Sequence, residues 1–256
     1  MKKMLLLFLV AILFLQLTAF SEETKENKEF LGGTLQTTIA TQYKSVGRSK
    51  FGNKGFFSPG INFNIGKGFS LDIRSYLPIS SGYENSKKNS YTLFYETKLF
   101  NEEKYEINIK AKHLFYDLIH NNRYNNYHET GSKFSFPKLV NFNNGDKVVP
   151  SYYGIAFWSQ KKNNSGYNGF AHIFNIDYVK KISIKQKIKF YSNITYNDSI
   201  GNSGSFFSHI TIGTSTDIKL KSNLAIAPFI NYQISLEDSI CEKDNIYGGL
   251  VFKYKF

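Results

Sequence analysis

The chain has 256 residues, a formal net charge of +12 and an aromatic content of 17%, with 24 Phe and 18 Tyr. Its single cysteine, Cys241, excludes an internal disulfide, and one cysteine with scattered histidines gives no zinc-ligand spacing. Beyond the N-terminal stretch there is no long apolar run, which argues against transmembrane helices.

The N-terminus has the order of a secretory signal. Basic residues at Lys2 and Lys3 precede the apolar run Met4–Leu15, and small residues follow at Ala19 and Ser21. A membrane anchor is the alternative, but about 20 apolar residues are needed to span a bilayer. We therefore expect a signal peptide over 1–21 that is cleaved after Ser21, a charged lead-in over 22–32 and one large domain over 33–256.

Most of the mature chain alternates between apolar and polar residues. Between Ile184 and Tyr196, Lys185, Lys187 and Lys189 fall on one face, opposite isoleucine and phenylalanine. A period of two indicates a β-strand, because a helix repeats every 3.6 residues. Ten further segments are predicted as strands for the same reason: Thr34–Lys44, Gly60–Gly66, Gly68–Leu77, Ser90–Leu99, Lys104–Tyr116, Pro150–Ser159, Gly169–Val179, Phe206–Leu220, Leu224–Ser235 and Ile246–Phe256.

The lengths of the links predict one more strand. Four links are short, at 66–68, 100–103, 180–183 and 221–223. If all four lie at one end of a barrel, an even number of strands must separate consecutive short links. Only three candidates lie between the second and third, so we predict an additional strand over Tyr124–Phe136. The result is a twelve-stranded barrel with both termini at the periplasmic end; a ten-stranded barrel is the alternative.

Alternation combined with a secretory signal predicts an all-β fold, a transmembrane antiparallel β-barrel in the bacterial outer membrane. Only helices and closed barrels satisfy the backbone inside a membrane, and a barrel directs its apolar face to lipid. The last strand shows this pattern to its end, where Phe252, Tyr254 and Phe256 alternate with Lys253 and Lys255.

The final strand resembles the carboxy-terminal signature of bacterial outer-membrane proteins. The resemblance implies that the barrel assembly machinery reads Phe252, Tyr254 and Phe256 as an assembly signal. Thr41–Arg48, followed by Pro59–Phe63, is similar to the first hairpin of small uncharacterised outer-membrane barrels. Neither resemblance implies an activity.

The predicted inner face is rich in basic residues. Alternation assigns to it Arg74, Lys98, Lys110, Lys112, Lys185, Lys187, Lys189, Lys219, Lys253 and Lys255. The inward acids are fewer: Asp72, Glu96, Glu106, Asp177 and Asp217. Rings of Lys and Arg favour anions in pores. A polar interior without solute preference is the alternative.

These observations favour a narrow passive diffusion channel with a mild anion preference. A non-conducting surface protein, adhesin-like or structural, is the first alternative. The second is a membrane-embedded lipid hydrolase, for which the nearest motifs are His128-Glu129-Thr130 and His209-Ile210-Thr211. Threonine replaces the serine such a site needs, so we expect no enzyme, no catalytic residue and no cofactor or metal. The expected partners are outer-membrane lipids, lipopolysaccharide, the barrel assembly machinery and small anionic solutes, but no nucleic acid.

Overall fold

The computed structural model describes residues 32–83, 86–101, 103–119, 126–159, 168–183, 186–200, 204–239 and 243–256. The predicted signal peptide, almost all of the lead-in, Lys185 and Cys241 lie outside these ranges.

The described residues form twelve long strands, labelled in chain order. They are β1 Gly33–Ala40, β2 Phe56–Gly66, β3 Phe69–Pro78, β4 Lys88–Leu99, β5 Ile107–Leu118, β6 Tyr127–Ser135, β7 Lys147–Ser159, β8 Gly169–Lys181, β9 Gln186–Asp198, β10 Ser205–Lys219, β11 Leu224–Ser235 and β12 Asn245–Lys255. Short pairings join Lys44–Ser45 to Arg48–Ser49 and Val140–Asn141 to the start of β7. Within the described ranges, no helix is long and apolar enough to cross a membrane.

The strands close into an antiparallel barrel. Each strand pairs with the next along the chain, and β1 pairs with β12 from Thr34↔Lys255 to Ala40↔Gly249. The prediction of an all-β, twelve-stranded antiparallel barrel is therefore confirmed. The strand predicted from link parity is β6, so the ten-stranded alternative is wrong.

Some strand boundaries differ from the sequence prediction. The predicted strand Thr34–Lys44 ends at Ala40, and Lys44 pairs with Ser49 in a separate small hairpin. The alternation continues beyond Ala40 because the chain turns into the lumen, where apolar side chains are again buried. Conversely, β2 begins four residues before the predicted Gly60, because Phe56 to Pro59 continue the ladder with β1.

The outer face of the barrel is apolar and exposed. Phe174, Ile176, Phe190, Ile212 and Ile230 each expose 47–58% of their surface. They alternate with the residues that line the interior, so they lie outside. Such an extensive apolar surface on a monomer indicates contact with lipid or another apolar phase.

The connections differ between the two ends. The connections that follow β2, β4, β6, β8 and β10 lie at the end that also holds both described termini. There Gly33 and Phe256 exchange two backbone hydrogen bonds of 3.0 and 3.1 Å. We call this the short-turn end, and the opposite end the long-loop end.

Candidate functional site

The barrel encloses a cavity of about 670 Å³. Its charged lining residues are the bases Arg74, Lys110, Lys112, Lys133, Lys253 and Lys255 and the acids Asp72 and Glu96. Four aromatic residues also line it: Tyr76, Phe94, Tyr116 and Tyr153. The excess of bases over acids gives the cavity a positive potential.

Strand register brings the central charges together. Glu96 of β4 pairs with Lys110 of β5, Lys110 with Lys133 of β6, and Lys133 with Tyr153 of β7. These four residues form one row across the inner wall. Like charges directly opposite each other repel, and the ion pair of Lys110 with Glu96 offsets this repulsion.

Every acid predicted to face inward forms an ion pair. Five pairs are Arg74–Asp72 at 3.3 Å, Lys110–Glu96, Lys98–Glu106 at 3.9 Å, Lys189–Asp177 at 3.8 Å and Lys253–Asp217 at 3.0 Å. Lys138 pairs with Glu106 at 2.8 Å, and Lys112 pairs with Glu129 at 3.0 Å. Much of the basic charge is therefore neutralised locally.

Several interior lysines lie outside these pairs. Among the described residues, Lys133, Lys187 and Lys255 make no ion pair with an acid. Lys133 lines the main cavity, Lys187 lines a second cavity of about 300 Å³ at the short-turn end, and Lys255 lines both. They supply a large part of the net positive field in the lumen.

The predicted basic candidates fall into three groups. Arg74, Lys110, Lys112, Lys253 and Lys255 meet in the main cavity. Lys187 lines the second cavity, while Lys189 pairs with Asp177 and places its amino group 4.8 Å from the Tyr191 ring centre. Lys185 lies outside the described residues. Selection of anions by these residues stays a prediction.

Lys88, Glu129 and Lys133 lie inside the barrel, but the sequence pattern did not predict it. Lys88 falls between the predicted strands Gly68–Leu77 and Ser90–Leu99, yet it begins β4 and is 3% exposed. Glu129 and Lys133 lie in β6, whose weak alternation hid its inner face. The sequence does contain a signal for this face. If Phe134 faces outward, the odd-numbered residues of β6, which include Glu129 and Lys133, face the lumen.

The buried Lys88 lies among four tyrosines. Its amino group is 3.8 Å from the ring centre of Tyr116, 4.6 Å from Tyr43, 5.1 Å from Tyr76 and 5.7 Å from Tyr127. It also donates a hydrogen bond of 3.2 Å to the Tyr127 hydroxyl. An ammonium group gains cation–π energy from such rings, and more so when it is desolvated. We call these five residues the tyrosine cluster.

Burial changes the pKa of two groups in the connection between β1 and β2. Desolvation is the main cause that raises the pKa of Tyr43, and the charge interaction with the nearby Tyr76 raises it further, so the Tyr43 hydroxyl stays neutral. Desolvation, and then the Arg48 guanidinium, lower the pKa of Lys50 to about 8. Lys50 is therefore mostly protonated at pH 7 and loses its charge as the pH rises through 8.

For the lipid-hydrolase alternative, the structure places the serine Ser208 beside His209, but this serine is buried. The Ser208 hydroxyl is 2.9 Å from Nδ1 of His209 and donates to the Thr195 carbonyl at 3.2 Å. A register shift opposite Thr195 turns both side chains inward, and they are 0% and 4% exposed. A nucleophile must reach its substrate, and this serine is shielded from lipid. In the described part of the chain, no three His, Cys, Asp or Glu side chains form a group that could hold a metal ion.

The terminal strand lies at the closing seam of the barrel. Phe252 and Tyr254 are 40% and 42% exposed on the outer face. The Phe256 ring covers Gly33, where a Cβ atom would collide with it. The role of these aromatic residues as an assembly signal stays a prediction.

Comparison with known proteins shows that this chain is similar to solved structures in its fold. No family model matches the sequence, and no curated protein is significantly similar to it. The KdgM porin superposes with a TM-score of 0.55 at 12% identity, covering 87% of this chain and 99% of that one. The NanC porin superposes with a TM-score of 0.56 at 7% identity, covering 87% and 100%. The predicted resemblance to bacterial outer-membrane barrels is therefore confirmed at the level of fold: the chain shares the barrel architecture of these porins.

Proposed function

We propose that this chain is a channel of the bacterial outer membrane, through which small solutes diffuse passively with a mild preference for anions. The observation that carries the proposal is the basic cavity inside a closed barrel whose outer face is apolar.

The outer face supports a location in lipid. A Lys facing lipid at mid-depth costs about 2–4 kcal/mol, so lysines on alternate strand positions belong in the lumen. The long-loop end would face the cell exterior and the short-turn end the periplasm, as in other barrels of this type. Outer-membrane lipids and lipopolysaccharide would contact the apolar belt, and the assembly machinery would insert it.

The charge distribution supports a mild rather than strong selectivity. Bases outnumber acids in the main cavity, which attracts anions. However, most of these bases have an acidic partner, which reduces their field. Lys133, Lys187 and Lys255 would provide the remaining attraction.

The similar porins suggest a class of solute for the assay. KdgM has been solved in complex with oligogalacturonate, a sugar chain that bears carboxylates. A carboxylate-bearing sugar fits the chemistry of the basic cavity here, so we include short acidic oligosaccharides beside simple anions among the candidate solutes.

The test is reconstitution of the purified mature protein. In cells, we expect the protein to fractionate with the outer membrane. On a gel, the unheated protein should run faster than the boiled protein. In a planar bilayer, the purified protein should give discrete conductance steps. Reversal potentials in a salt gradient should show a permeability ratio favouring anions. A soluble periplasmic protein would contradict the membrane location. A folded, inserted barrel that never conducts would favour the non-conducting surface protein.

Orientation has its own test at Cys241, which lies in sequence between β11 and β12 and which we expect outside the cell. A membrane-impermeant maleimide should label Cys241 in intact cells. A cysteine replacing Asn223, at the short-turn end, in a Cys241→Ser background should react only after the outer membrane is opened. The reverse labelling pattern would place the barrel upside down.

A further inference from the structure

The first long loop, residues 41–55, crosses the barrel. It joins β1 to β2, which are neighbours, yet Val46 at its tip packs against a cluster that contains Ile155, Phe157 and Ala171. These residues belong to β7 and β8. In a ring of twelve strands β7 lies opposite β1, so the loop spans the lumen from wall to wall.

Contacts with several parts of the barrel hold the tip. The Gln233 amide, in a side chain only 1% exposed, donates to the Gly47 carbonyl at 2.9 Å. The Arg48 guanidinium donates to the Ile200 carbonyl at 2.9 Å. Gly47 has a φ of +81°, and a Cβ atom there would lie 2.5 Å from Nδ1 of His209. The tip therefore requires glycine both for its backbone conformation and for its close approach to the imidazole.

The base of the loop is packed as firmly. Phe51 is 1% exposed in a cluster with Tyr43 and Phe56. The Tyr43 hydroxyl lies 3.2 Å from that of Tyr116, and its ring is 4.7 Å from that of Tyr76. Tyr43 thus joins the loop to the tyrosine cluster around Lys88.

The loop also ends the cavity. Tyr76 and Tyr116, which contact Tyr43, are lining residues of the 670 Å³ cavity. A pocket beside the loop tip has a volume of about 20 Å³ and is bordered by Arg48, Lys50 and Glu129. That volume accommodates about one water molecule, so the space at this side of the tip is narrow.

We infer that residues 41–55 are the constriction of the channel. The loop narrows the long-loop end of the lumen, and Arg48 and Lys50 are charged groups that a solute meets there. The main cavity is then a vestibule entered from the short-turn end. This inference rests on the proposed channel function and adds the element that limits and selects the solute.

Two loop variants test it by conductance. In the first, residues 43–51 are replaced by a short Gly-Ser linker; in the second, Gly47→Val forces a side chain against His209 and unseats the tip without removing chain. The single-channel conductance should rise several-fold in the first and by less in the second. The control shortens the loop over 236–244, which should leave conductance unchanged. Equal conductance in the native protein and both loop variants would overturn the inference.

A thiol assay tests the constriction without relying on conduction. Phe94→Cys in the Cys241→Ser background places a thiol in the cavity below the loop. A small anionic methanethiosulfonate added to intact cells should modify this thiol slowly while the native loop is present, and several-fold faster when the loop is shortened. Opening the outer membrane should expose it in both forms.

The two assays separate the two proposals. If no form conducts, the passive channel fails, and the thiol assay still decides whether the loop restricts access to the cavity. Equal rates of modification with the native loop and with the shortened loop would show that residues 41–55 do not narrow the lumen.

Discussion

Reversing the charge of Lys133, Lys187 and Lys255 to Glu should turn the selectivity of the barrel from anions to cations. These three lysines line the interior cavities and make no ion pair with a described acid. Their field therefore acts on the solute rather than on a neighbouring carboxylate. We expect the anion-to-cation permeability ratio, taken from reversal potentials, to fall by about tenfold, which corresponds to about 1.4 kcal/mol.

The matched control applies the same change of charge outside the lumen. Lys67, Lys104 and Lys243 are exposed, lie outside the first loop and line neither cavity. Their replacement by Glu should leave the permeability ratio unchanged. If both triple variants shift it equally, overall charge sets the selectivity. If neither shifts it, Lys133, Lys187 and Lys255 do not line the conducting path.

The sequence predicted the wall of the barrel because alternation repeats on every strand. A lysine facing lipid is costly, so the parity of residues such as Lys187 and Lys253 assigns the two faces without a structure. Link parity even located β6, whose own pattern is weak. Alternation depends only on residues that are adjacent in sequence, and the cost of a lysine in lipid is the same on every strand. Both rules can therefore be applied to a single sequence.

The contents of the lumen could not be predicted in this way. The loop over 41–55 is rich in Gly, Lys and Ser, as solvated loops are, but its tip binds Gln233, which lies far along the chain. Lys88 is a loop-like residue in sequence, and only the tyrosines of four separate segments make its burial favourable. Partners brought together by barrel closure leave no periodic signal.

The sequence also does not show which basic residues pair with the inward acids. Alternation placed Asp177 and Lys189 on the same face, but only strand register shows that they meet. The register shift opposite Thr195 is likewise visible only in the pairing of the two strands. It turns the side chains of Ser208 and His209 inward together. Excess basic charge is therefore a poor measure of the lumen field until the pairs are known.

Removing the Glu129 carboxylate should destabilise the barrel strongly. Glu129 is 4% exposed and accepts a hydrogen bond of 3.0 Å from Lys112. It also borders the small pocket of Arg48 and Lys50, so one carboxylate compensates several buried cations. Breaking a buried ion pair from one side costs about 3–5 kcal/mol, because the remaining charge is left without compensation. Glu129→Ala should lower the free energy of unfolding by that amount.

The control for Glu129 is the exposed pair of Lys110 with Glu96, whose side chains are 46% and 56% exposed. Glu96→Ala should cost about 1 kcal/mol or less, since water screens such a pair. Urea unfolding of the reconstituted barrel, followed by the gel shift, measures both variants. The double variant Lys112→Met with Glu129→Leu should recover most of the loss, because it removes both charges from the buried site. Equal costs for Glu129→Ala and Glu96→Ala would mean that the Lys112–Glu129 pair is solvated like a surface pair, and that the lumen beneath the first loop is open to water.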